Sequence, residues 1–152
     1  MIPKFRVFAK AGTKEFFGGG YDTDQMFYEI SEIDYYNKTV TVWGCHNKDC
    51  GMCDDTYKIE DVKIMMSTGL KDTNGVEIYE GDVVNVTQYF GGHSFGQLPH
   101  VVKASEYSNV LVLDALSKQN YVEEYTLYFS RIKDYEIIGN IYENPEWLEA
   151  HT

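Results

Sequence analysis

The stretch from Ser67 to Val86 constrains the fold more than any other, because turn formers, small residues and a β-branched run follow one another with hardly a neutral position. Asn74-Gly75 is the dipeptide best suited to the positive φ angles of a tight primed turn. Glu80-Gly81-Asp82 supplies a second reversal just before the apolar run Val83 to Val86. The stretch therefore reads as turn, short strand, turn, strand, and leads into a small barrel. Its Gly, Asn and Asp residues all have turns to make, which leaves little for chemistry.

The rest of the chain must supply a core. A chain of 152 residues buries roughly 70% of its unfolded surface when it folds as one unit, so staples are unnecessary. Its 13 Tyr and 8 Phe, within a 43% hydrophobic composition, favour strands over helices. Acidic residues outnumber basic ones 24 to 13, for a formal charge of −11. That field repels phosphate backbones and anionic lipid at long range, which counts against non-specific nucleic-acid binding and against a membrane surface. Three cysteines, an odd number confined to residues 45–53, fit a reducing compartment rather than a disulfide framework. No apolar run approaches the ~20 residues of a membrane helix and no leader-like segment follows Met1, so the expected location is the cytoplasm.

Strand patterns recur on both sides of the opening stretch. Phe5, Val7 and Ala9 alternate with Lys4, Arg6 and Lys10, which predicts a strand over 4–9 with Phe8 the one bulky residue on the polar side. Residues 11–20, ending in three glycines, read as a loop. Phe27 to Asp34 and Thr39 to Trp43 are rich in β-formers, and Asn37-Lys38 closes them into a hairpin. Val62, Ile64 and Met66 share one face of a strand over 62–67, after an acidic turn at Glu60-Asp61.

Beyond Val86, residues 89–99 set aromatics among glycines and read as a long, partly ordered loop. Tyr89, Phe90, His93 and Phe95 there form either an adaptable interaction surface or a cover folded back over the barrel end. Val101-Val102 and Val110 to Leu113 predict an antiparallel pair, and Tyr125 to Phe129 a strand or a short helix. Tyr135 to Tyr142 predicts a strand with Gly139 at a bulge or a close backbone approach. Asn144 as cap, Pro145 at the first helical position and Glu146 beside it start a terminal helix of one or two turns. The expected fold is mainly β, a β-rich α+β protein. An N-terminal β-hairpin region over 1–66 packs with a C-terminal SH3-like small barrel over 67–152, which ends in a short helix; the alternative is one compact domain over 1–152.

Metal-like spacing occurs once. Cys50 and Cys53 form C-x₂-C, with Cys45 upstream as a third thiolate. Zinc is the cofactor such a turn would take, but a structural site needs four ligands and His46 adjoins Cys45 too closely to serve. A redox thiol pair and an exposed hairpin-tip loop with ordinary cysteines are the other readings. His46, His93, His100 and His151 have no elbow or oxyanion motif to select a nucleophile, so no catalytic residue is assigned. The acidic pairs Asp54-Asp55, Glu60-Asp61, Glu80 with Asp82 and Glu123-Glu124 read as solvated turns.

Two blocks carry a family resemblance. Thr68-Gly69-Leu70-Lys71-Asp72 with Asn74-Gly75-Val76-Glu77-Ile78-Tyr79-Glu80-Gly81-Asp82-Val83-Val84 is one, and Ile138-Gly139-Asn140-Ile141-Tyr142-Glu143-Asn144-Pro145-Glu146 is the other. Both resemble the YopX family of bacteriophage and prophage proteins, and Lys4 to Phe8 is similar to that family's start. The resemblance implies a small accessory protein made in a bacterial cytoplasm, with no catalytic residue to carry over. The leading expectation is a noncatalytic module that binds a host or phage protein, with self-association as a further expectation. The alternatives are a nucleic-acid-binding SH3-like barrel that stacks bases on Tyr89, Phe90 and Phe95, and a zinc-dependent enzyme using the cysteine loop.

Overall fold

A computed structural model of the protein describes residues 2–10, 26–43, 54–105, 110–116, 124–126 and 134–149. The chain is mostly β, in two antiparallel sheets of which one curls into a half-barrel, with a single short helix near its end. Two compact units, Met1–Met66 and Ser67–Thr152, divide it.

In the first unit, β1 (Phe5–Ala9), β2 (Met26–Asp34), β3 (Thr39–Trp43), β4 (Asp54–Lys58) and the start of β5 (Lys63–Lys71) lie in the order β4-β3-β2-β1-β5. Period-two patterning sends Val7, Ala9, Tyr28, Val40, Val42 and Tyr57 into one core, joined by Val62 and flanked by Ile30, Ile33, Ile59 and Ile64. Each fully buried valine among them contributes about 1.5–3 kcal/mol. The opposite face explains Phe8: its ring lies 5.2 Å from that of Phe27, and the Arg6 guanidinium sits 4.3 Å from the Phe27 ring centre. The β2–β3 connection is an Asx turn, with Asp34 Oδ1 accepting from the Tyr36 and Asn37 amides at 2.9 and 3.0 Å. The acidic turn at Glu60-Asp61 is a short 3₁₀ helix, Ile59–Asp61.

The second unit begins within β5, whose later residues pair with β6 (Glu77–Tyr79). Its main sheet has the order β10-β9-β8-β7-β11, from β7 (Asp82–Phe90), β8 (His93–Ala104), β9 (Leu111–Ala115), β10 (Glu124–Thr126) and β11 (Tyr135–Asn140). Ile78, Val84, Val86, Val102, Leu113 and Tyr135 form its central core. Val83, Val101 and Leu116 form a second cluster that Trp147 packs against.

Three sequence expectations change here. Thr68-Gly69 is a bulge inside β5 rather than a turn, with the register shifting between Ser67 and Lys71. At Asn74-Gly75 only the glycine has positive φ, so the turn is not primed; the Gly75 amide donates to the Asp72 carbonyl at 3.0 Å, and the Asp72 carboxylate holds the rest. The helix α1 (Glu146–Glu149) starts one residue later than expected, with the Asn144 carbonyl accepting from the Trp147 amide at 3.2 Å and the Asn144 side-chain oxygen accepting from the Asn140 amide at 3.4 Å.

Candidate functional site

Residues 89–99 are not a loop. The strands β7 and β8 continue as a ribbon through the pairs Thr87↔Gln97, Gln88↔Gly96, Tyr89↔Ser94 and Phe90↔His93. Neighbouring pairing stops short of it, with β11 ending at Tyr135↔Val86 and β9 at His100↔Ala115, so among the described residues the ribbon stands as a two-stranded arm. Gly91 and Gly92, at φ 59° and 83°, close it in the primed turn whose twist matches the strands. Phe95 is the extra residue of a bulge between Gln88 and Tyr89 of the partner strand.

The arm ends in aromatic surface. Phe90 is 84% exposed and Tyr89 47%, with His93 exposed beside the turn, so Phe90 does not fold back over the barrel end. The Tyr89 hydroxyl donates to Asp134 Oδ1 at 2.7 Å, which ties the ribbon to the sheet at its base. From Val83 to Val102 no Asp, Glu, Lys or Arg occurs, in a chain of net charge −11. The arm is therefore an uncharged, aromatic-tipped projection from an acidic protein.

By contrast, the buried polar groups of the two motif blocks hold the scaffold. Asp72 accepts from the amides of Asn74 and Val76 through one oxygen and from Ile137 through the other. Asp82 Oδ2 accepts from the Tyr79 amide at 2.8 Å, and Asn140 donates to Asp82 Oδ1 at 3.0 Å. Gly81, at φ 87°, leaves no room for a side chain, since a Cβ would lie 2.7 Å from the Tyr142 ring. Burial, with Glu80 nearby, raises the Tyr142 phenol above its ordinary value. His100 is buried in β8.

Cys45, Cys50 and Cys53, and with them the zinc question, lie outside the described residues, as do His46 and His151. Among the described residues, no group of three or more His, Cys, Asp and Glu is placed to hold a metal ion, and no helix is long and apolar enough to cross a membrane. Sequence reading passed over Tyr35, which is 81% exposed and lines two clefts of the first unit. Its signal was the pair Tyr35-Tyr36 at a polar turn, where an aromatic has no core to enter.

Fold and arm together define a two-sheet β protein built around the paired motif blocks. The model of the YopX protein family matches residues 4–149, and the chain belongs to that family. Its fold is similar to that of the crystal structure of protein EF1440 from Enterococcus faecalis, at 24% identity over 97% of this chain and 99% of that one, with a TM-score of 0.51. No curated protein matches the chain.

Proposed function

We propose that this YopX-family protein is a noncatalytic accessory protein of a phage or prophage, working in the bacterial cytoplasm without a cofactor by binding another protein of phage or host. The observation that carries the reading is the arm. A tight glycine turn presents Phe90 and Tyr89 at little entropic cost, and aromatic residues held this way are the usual anchors of interfaces. Absence of charge from Val83 to Val102 spares a partner the desolvation of acidic groups that the rest of the surface would impose. The buried carboxylates support the noncatalytic part, because Asp72 and Asp82 are committed to backbone amides. The same uncharged segment disfavours nucleic acid, which is gripped through Lys and Arg.

Affinity capture with the full chain from infected host cells tests the reading, with Phe90→Asp as the comparison. A partner retained by the native chain and lost with the variant is expected. Capture of the same proteins by both, or salt-sensitive binding of single-stranded oligonucleotide with no protein partner, would replace it.

A further inference from the structure

The sheet of the first unit splits along its middle. β1 and β2 pair from Ala9↔Met26 to Arg6↔Glu29 and stop there. Beyond that point β1 stays with β5 through Phe5↔Met66, while β2 stays with β3 as far as Asp34↔Thr39. Pro3, which has no N–H to give a ladder, lies in the segment that leaves β2. Between the diverging chains is a cleft of about 600 Å³ with Ile2 and Phe5 on one wall and residues 29–33 on the other. Among the described residues no strand pairs with the β1 side of residues 30–34, so β2 turns a strand edge toward the cleft.

Register with β3 fixes what that edge presents. Ile30 and Ile33 lie opposite Val42 and Val40, both fully buried, and so point to the core side of the sheet. Glu29 and Glu32 lie opposite Trp43 and Thr41 and point to the other side, where both are exposed. Ser31, the extra residue of a bulge, is held by its hydroxyl on the Thr41 carbonyl at 3.1 Å. Lys4 on the facing wall offsets one of the two carboxylates. Arg6, opposite Glu29 in the β1–β2 register, is drawn over the Phe27 ring at 4.3 Å from its centre, which leaves Glu32 the carboxylate most open to a basic partner. Tyr35, at its end, adds an exposed aromatic anchor.

We propose that this cleft is a second binding site, independent of the arm, which takes an extended peptide in which apolar and basic residues alternate. Added as a strand beside β2, the peptide would place its apolar row against Ile30 and Ile33 and its basic row against Glu29 and Glu32, and its backbone would complete the ladder that β1 abandons.

The probe is a fluorescein-labelled octapeptide of alternating valine and lysine, titrated with the full chain and read by anisotropy. Saturable binding is expected, about tenfold tighter than for a valine–glutamate octapeptide or for a block peptide of four valines followed by four lysines. Glu29→Lys with Glu32→Lys, both at exposed positions, weakens the lysine peptide by about tenfold. Glu143→Lys with Glu146→Lys changes net charge equally and leaves the affinity unaltered. The proposal is overturned if the lysine peptide does not bind, if the block peptide binds as well, or if the two double variants weaken binding alike, since the last would report only the overall charge. Phe90→Asp leaves the peptide affinity as it was, so cleft and arm can fail separately.

Discussion

His100 shows a single residue carrying a pH response through its surroundings. It is 3% exposed on β8, and its Nδ1 lies 2.9 Å from the Leu98 carbonyl; a carbonyl only accepts, so the neutral ring carries its proton there. Burial lowers its pKa below the ordinary imidazole value, and the Leu98 carbonyl and the Asp114 carboxylate offset part of that shift. A depressed folded pKa means the unfolded chain binds the proton more readily. The contribution is therefore fully present above the ordinary imidazole value and is lost as pH falls from there through the folded pKa. Between about pH 7.5 and about pH 5.5 the urea midpoint of the native chain should fall more than that of His100→Gln. Equal falls would show that other groups carry the acid response. Legibility at this scale was partial: Gly81 is a turn glycine on its neighbours alone, but its approach to Tyr142 depends on β11 lying beside β7.

Among the elements, legibility followed burial. A strand with one face in a core, such as Thr39–Trp43, shows alternation and was readable, whereas Phe5–Ala9 buries Phe8 on the opposite face as well and breaks the pattern at that residue. The arm was not, because a ribbon with no buried face has no period-two signal, and its backbone pairing leaves no mark on side-chain pattern. Nor was the cleft, since the parting of β1 from β2 is decided by β5 and β3. Elements also explain why the two motif blocks, far apart in sequence, belong together. Asp72 sits in the turn between β5 and β6, 4% exposed, and reaches the Ile137 amide of β11 at 3.1 Å while holding the Asn74 and Val76 amides at 2.9 Å. The Thr73 amide adds a bond to the Tyr135 carbonyl at 2.9 Å. Asp72→Ala would strand these amide donors and should cost about 3 kcal/mol in urea unfolding. Asp72→Asn keeps one acceptor oxygen and should lose less. A cost for Asp72→Ala below about 1 kcal/mol would mean that water replaces the carboxylate and that the link to β11 is not stabilising.

For the whole molecule the governing fact is 24 acidic against 13 basic residues. Folding gathers that excess into a smaller volume, so self-repulsion opposes the compact state. Lys103–Asp114, at 2.8 Å between partly exposed side chains, offsets little of it, because pairs of this kind contribute about 1 kcal/mol at most. Salt shortens the range of repulsion to about 8 Å at physiological ionic strength. Raising sodium chloride from about 10 mM to about 300 mM at pH 8 should therefore raise the melting temperature, as read by circular dichroism. The two proposed sites should part company in the same titration. Binding at the arm, where positions 83–102 carry no Asp, Glu, Lys or Arg, should hold nearly constant, whereas the valine–lysine peptide should leave the Glu29–Glu32 cleft as its attraction is screened. A melting temperature that stays flat or falls with salt would show that local ion pairs outweigh the net charge. Arm binding that weakens in step with the peptide would show that the arm's partner is held by charge after all.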